Sequence, residues 1–418
     1  MGLTMRSSEK KNTVVITGMG IRCPLGRSVA EFETNLFAGA SGIVPIRGNL
    51  VAQDFPVPFA GFLGSDDSKS GIPALQQCSR SAAFSLGSLE EAAAKLAYGT
   101  QVDAIVFGTA EGVAFDTVQS AMQIQTGNLN PDSLPCAEEP LQIMAEWFRD
   151  QKGCTIASHR LIAVNSACAS GNQAIGEAMQ RIRAGVWKRA IVGGVDARCT
   201  AANLMNFHML GALCVEDIAA PSASRPFSKD RSGFVRSEGA AVLILESLEA
   251  AEQRGAEILA EVLGYGATSD SFRLTDGRSD GIGVQAAMRR AVEDAGLSLD
   301  AIGAISAHGT STLLNDKLET EAIKAVFGEM AYKIPVTSLK SQLGHTTVAA
   351  GALEAVSCVL MMRNTMLAPT INLTNSDPEC DLDYVPNVSR PRNVNSMLSN
   401  NFGFGGQNAC LVFGVQRS

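Results

Sequence analysis

Charge, histidine and long apolar runs are all scarce in this 418-residue sequence. Charged side chains make up 18% against 46% hydrophobic ones, which leaves little room for disordered tracts and points to extensive burial, part of it between subunits. The net charge of -8 lacks the basic excess that a phosphate-backbone binder needs, so nucleic acid is not an expected partner. No apolar stretch reaches the roughly 18 residues needed to cross a bilayer. Residues 1–12 are polar, and Arg6 occupies the hydroxyl position of a myristoylation signal. A cytoplasmic protein without membrane contact is expected. Paired-cysteine motifs are missing too. Ten cysteines are scattered from Cys23 to Cys410 with no C-x-x-C pair, so most read as small buried hydrophobes rather than zinc ligands or disulfides. In a cytosolic chain the N-x-[ST] sites at Asn372 and Asn387 carry no glycan.

What is present is a recurring pattern of short β-branched runs, glycines and amphipathic stretches, the mark of an α/β protein. Strands are expected at 13–17, 103–107, 161–165, 189–192, 240–245, 258–264, 302–307, 334–338, 396–399 and 409–413. Helices are expected at 28–37, 169–184, 281–295, 316–327 and 349–363. The order of elements repeats in two halves, 1–265 and 266–418, which suggests a duplicated pattern. Residues 109–154 interrupt the first half and read as a cap insertion, or as a crossing to a second subunit.

Cys168 sits where the apolar strand at 161–165 passes through Ser166 and Ala167 into a helix. Free N–H groups at a helix start favour thiolate over thiol and offer an oxyanion site, so this elbow suits acyl transfer. A buried structural cysteine is the commoner case, and it is the reading for the other nine. Two of the four histidines, His308 in AHGTST and His345 in KSQLGH, stand in glycine-containing turns after expected strands. A pair of imidazoles there can hydrogen-bond a thioester oxygen while carbon dioxide departs. Neither has a third ligand at metal spacing, so no metal is expected. The run NNFGFGGQN at 400–408 reads as a tight loop. It lacks the lysine and hydroxyl of a nucleotide loop, and Cys23 replaces the third glycine of a dinucleotide fingerprint after Gly18 and Gly20.

Taken together, VNSACASG, AHGTST, KSQLGH and NNFGFGGQN resemble the elongating β-ketoacyl-acyl carrier protein synthases, with VVITGMGI, SRPFSKDRSGF and SDPECDLDYVPN in agreement. The resemblance implies a thiolase-like five-layer αβαβα fold built from two duplicated halves. It also implies a dimer, either a homodimer or a heterodimer with a related ketosynthase-like subunit. The implied reaction is decarboxylative condensation of a cysteine-bound acyl group with malonyl-acyl carrier protein, in fatty-acid or polyketide elongation. No cofactor is implied beyond the phosphopantetheine of the carrier protein. Carried over by motif, Cys168 is the nucleophile and His308 and His345 drive decarboxylation. Lys340 pairs with Glu354, Thr310 and Thr312 contact pantetheine, and the N–H groups of Cys168 and Phe404 form the oxyanion hole, with the Phe404 ring as gate.

Two features depart from the family. Glu111 stands where fatty-acid members carry small or apolar pocket residues, and an unpaired carboxylate beside alkyl chain costs about several kcal/mol. A polar, unsaturated or polyketide-like acyl chain, or a contact to a partner subunit, is the expectation. Residues 65–80 hold only Lys69 and Arg80 as cations, so Arg225, Lys229 and Arg231 are the candidates to complete a carrier-protein surface. Chain-initiating synthases and degradative thiolases replace the second histidine or add a cysteine, and His345 argues against both. Noncatalytic chain-length factors usually lack the nucleophile that Cys168 supplies.

Overall fold

The computed structural model describes residues 13–64, 79–110, 139–273 and 277–416. A mixed ten-stranded sheet runs through it. Its strands are β1 (Val14–Arg22), β2 (Ala104–Gly108), β3 (Leu161–Val164), β4 (Arg189–Asp196), β5 (Gly239–Ser247), β6 (Ala260–Ser269), β7 (Ala304–Ser306), β8 (Val336–Thr337), β9 (Ser396–Gly403) and β10 (Gln407–Gly414). The helices are α1 (Val29–Ala38), α2 (Arg80–Ala92), α3 (Glu139–Lys152), α4 (Ser170–Arg183), α5 (Ala201–Met209), α6 (Leu248–Gln253), α7 (Ile282–Asp294), α8 (Leu313–Phe327), α9 (Lys340–Leu343) and α10 (Ala350–Arg363).

The strands lie in the order β8-β7-β9-β10-β6-β1-β5-β4-β2-β3. Read outward from the centre, β1-β5-β4-β2-β3 is matched strand for strand by β6-β10-β9-β7-β8. The directions repeat as well: the two inner pairs of each half are antiparallel and the two outer pairs parallel. The duplication is therefore structural, and the halves meet where Val15 and Ile16 of β1 face Glu261 and Ala260 of β6. Residues 265 and 266, the sequence division, fall inside β6.

Helix α2 covers the outer face of the first half and α7 that of the second, while α4 and α10 lie between the halves and touch strands of both. This gives five layers, α-β-α-β-α. Helix α10 is buried on all faces from Ala350 to Met362 and so shows no amphipathic stripe, as a core helix should not. The two inner helices meet at glycines. A Cβ on Gly171 would stand 2.6 Å from the Ala352 nitrogen, and one on Gly351 would stand 2.6 Å from the Asn172 nitrogen.

Each expected strand occurs, most of them longer than expected. Two readings change. The glycine-rich run at 400–408 is not a loop throughout: Asn400 to Gly403 belong to β9, and only residues 404–406 turn, with Gly405 and Gly406 at φ 80° and 73°. The expected insertion contains α3 at its end, whose Leu141, Met144 and Phe148 are buried in the same core as Ile105 and Phe107 of β2. That part belongs to its own half, and residues 111–138 lie outside the described residues.

Candidate functional site

Cys168 lies between β3 and α4, and the turn that presents it is held from within. Ser170 Oγ accepts from Ser166 N at 2.8 Å and donates to the Ala167 carbonyl at 2.6 Å, with Ala167 in the left-handed region at φ 48°. The Asn172 amide ties the start of α4 to the second half, donating to the carbonyls of Ser399 on β9 and Ala409 on β10.

From the second half come both imidazoles. His308 follows β7, and its loop is fixed by buried Glu319, which accepts from the His308 and Gly309 N–H groups at 2.8 Å each. His345 follows α9 and Gly344, with its N–H on the Val235 carbonyl at 2.7 Å and its own carbonyl accepting from Ser237 N at 3.0 Å. The rings are perpendicular, with centroids 5.2 Å apart. His345 Nε2 is 3.1 Å from the Cys168 sulfur, and ligand atoms of the three residues lie within 4.8 Å of one another. All three side chains are buried.

The tautomer of His345 follows from its surroundings. Thr347 N–H donates to Nδ1 at 3.3 Å, which makes Nδ1 the acceptor and leaves the ring proton on Nε2, facing sulfur. A metal ion would fit the spacing but would need that nitrogen unprotonated. The donor set favours hydrogen bonding over ligation.

Electrostatics change one expectation. Burial pushes the Cys168 thiol up to about 11, against the opposing pull of Lys340, Arg236 and the Phe404 N–H. Cys168 precedes the first residue of α4 by two positions, and desolvation outweighs the helix-start effect. The resting group is a thiol, not the thiolate that the elbow suggested. Burial first, then Lys340 and His345, holds His308 well below the usual histidine range. Burial, then Lys340 and Arg236, does the same to His345. Both rings are neutral donors near pH 7.

Lys340 forms a buried ion pair with Glu354, whose second oxygen accepts from the Asn401 amide at 2.7 Å. The next strand positions bring the turn to Cys168. A Cβ on Gly403 would stand 3.0 Å from Cys168 N, so only glycine lets Phe404 approach. The half-buried Phe404 ring lies 6.4 Å from Phe207, which packs on Phe234, which in turn meets His345 edge-on. Thr310 and Thr312 are joined through their hydroxyls at 2.9 Å, and Thr312 caps α8.

The structure thus gathers Cys168, His308, His345, Lys340, Glu354 and Phe404 around one centre. Glu111 and Lys69 lie outside the described residues. Two cations expected on a docking surface are spent internally: Arg225 pairs with Glu216, and Arg231 with Asp377 at 2.5 Å. Both are buried, whereas Lys229 is exposed. Arg80 is held by Glu238 at 2.6 Å.

Sequence reasoning missed the support beneath His345. Asp196, the last residue of β4, is fully buried between Arg198 at 2.7 Å and Arg236 at 2.5 Å, and it accepts from the Thr347 hydroxyl. Burial works against its charge, but these partners prevail and hold its carboxyl below the ordinary range. Thr347 has φ 43°, a conformation costing a β-branched residue about 1–3 kcal/mol. No residue type in the sequence signals this conformation.

Comparison with known proteins bears on the family. Residues 11–74 and 160–251 match the N-terminal domain of β-ketoacyl synthases, and 259–374 match the C-terminal domain. The chain is 37% identical to 3-oxoacyl-[acyl-carrier-protein] synthase 2 of Synechocystis sp., over 98% of this chain and 99% of that protein. Among solved structures it resembles a type II polyketide ketosynthase, bound to the hexaketide and in complex with its acyl-carrier protein (32% identity, TM-score 0.85, covering 97% of this chain and 99% of that one). It also resembles the ishigamide ketosynthase/chain length factor (32% identity, TM-score 0.83, covering 97% and 99%).

Proposed function

The chain belongs to the β-ketoacyl synthase family, and from that premise we propose that Cys168 takes an acyl group from a carrier protein and passes it to a malonyl unit as the latter loses carbon dioxide. The observation that carries this reading is the meeting of one sulfur, two neutral imidazoles and the Phe404 N–H in one buried space.

In the first step the sulfur bonds to the acyl carbon, the carrier-protein thiol leaves, and it takes the proton that the cysteine gives up. Nε2–H of His345 stabilises the negative charge growing on sulfur, and the N–H groups of Cys168 and Phe404 receive the oxyanion. In the second step His308 and His345 donate to the malonyl thioester oxygen while the C–C bond to the carboxylate breaks. The resulting enolate attacks the cysteine thioester. The product is a 3-oxoacyl thioester on the carrier protein, and the expelled sulfur is reprotonated from water, which supplies the one proton the overall reaction consumes. Lys340, kept in place by Glu354, adds positive charge beside all three groups. Thr310 and Thr312 contact the pantetheine arm, and the Phe404 ring gates the acyl side.

The partners are an acyl carrier protein and a second subunit, identical or related, in a cytoplasmic setting. Among the described residues no helix is long and apolar enough to cross a membrane. Intact-mass analysis after incubation with a panel of acyl carrier proteins tests the proposal. The expected result is an acyl adduct on Cys168, released as 3-oxoacyl product when malonyl carrier protein is added. An adduct-free chain with active carriers would refute it.

A further inference from the structure

We propose that Asp196 and Thr347 are positioning residues that lock His345 in the tautomer able to donate from Nε2. The proposal rests on the reading above, in which that donor serves both sulfur and thioester oxygen.

Three observations converge. Thr347 occupies the left-handed region, which a β-branched side chain avoids unless its surroundings impose it. What imposes it is visible: its hydroxyl is bound by Asp196, whose carboxylate is anchored by Arg198 and Arg236. In this conformation the Thr347 N–H points at His345 Nδ1. Arg236 grips the other end of the same short segment, donating to the His345 carbonyl at 3.2 Å while its second nitrogen holds Asp196 at 2.5 Å. Asp196 and Arg236 therefore clamp residues 345–347 at both ends. Neither touches the reacting atoms; they act through the ring. Because Asp196 ends β4, the first half of the molecule orients a histidine carried by the second.

Thr347→Val removes the hydroxyl and keeps the shape. Without the Asp196 bond the segment relaxes, Nδ1 loses its donor and the ring proton redistributes. Nitrogen-15 NMR of histidine-labelled full-length protein reads this directly, since the chain has four histidines. The wild type should show one Nε2–H tautomer for His345. Thr347→Val and Asp196→Asn should show a mixture, with carbon dioxide release from malonyl carrier protein lowered about 100-fold, the scale of one lost donor in a preorganised site. Thr347→Ser should restore both signals, which a purely structural defect would not do. A Thr347→Val protein that keeps a pure Nε2–H tautomer overturns the proposal, whether or not its rate falls. Should Asp196→Asn fail to fold, Thr347→Val and Thr347→Ser decide alone. A wild-type chain that releases no carbon dioxide would instead overturn the condensing reading, leaving the tautomer comparison to judge the clamp.

Discussion

The turn before α4 and the turn before α10 are the same construction put to different use. Gly171 and Gly351 occupy matching places where the two inner helices touch, and three residues earlier stand Cys168 and Val348. Each of these follows a residue held in the left-handed region, Ala167 at φ 48° and Thr347 at φ 43°. In the first turn the strained residue presents a sulfur atom. In the second it presents nothing reactive outward; its N–H and hydroxyl are turned to supporting His345. Two stiff turns of the same build thus carry different loads: one holds the Cys168 sulfur, the other steadies the His345 ring.

The most drastic way to separate these roles is Cys168→Ala. Product formation should fall at least about 1000-fold and the acyl adduct should vanish. Carbon dioxide release from malonyl carrier protein should persist, because both imidazoles remain. If release disappears as well, the two turns do not have separate tasks. Next in size is Lys340→Met, which strands Glu354 without its cation. Urea titration should show a loss of about 3–5 kcal/mol, much of it recovered in the double variant with Glu354→Gln. An unshifted midpoint would mean the pair contributes nothing to holding the loop.

The symmetry itself is tested by Gly171→Ala and Gly351→Ala. Each added methyl meets backbone nitrogen, so each variant should lose about 1–3 kcal/mol, yet only Gly171→Ala should slow acylation of Cys168. Equal slowing in both would count against a specialised first turn. The last test is in pH and needs no substitution. A thiol pushed up to about 11 by burial is protonated at neutrality, so its alkylation by iodoacetamide should rise about tenfold per pH unit from pH 7 to pH 10. A rate already level at pH 7 would show a resting thiolate.

The strands were readable because β-branched runs at 189–192 or 240–245 declare a buried strand whatever their neighbours do. Helix α2 was not, since Ser81, Ala82, Ala83, Ser85, Gly87 and Ser88 are all buried and leave no polar face to set a period. The stripe Leu141, Met144 and Phe148 of α3 was present, but polar and proline-bearing sequence around it masked a regular helix. In the site, Cys168 and the two histidines stood out through their turns, and Lys340, Glu354 and Phe404 through the family resemblance. Asp196 did not, because its bond to Thr347 spans 151 positions and the backbone sign that makes it necessary is written in no residue type. The thiol's direction was misjudged for a related reason: proximity to a helix start is local, whereas desolvation comes from the whole surrounding fold.

Strand β9 acts as a ruler. Asn400 reaches Glu319 at 3.1 Å, Asn401 reaches Glu354 at 2.7 Å, and Gly403 abuts Cys168, so three marks within four residues of one strand address the His308 loop, the lysine and the sulfur. Sliding this strand by a single residue would miscalibrate all three at once. The hairpin tip beyond Gly403 carries both the N–H and the ring of Phe404, so a residue added there would shift oxyanion donor and gate together while leaving these three gradations untouched.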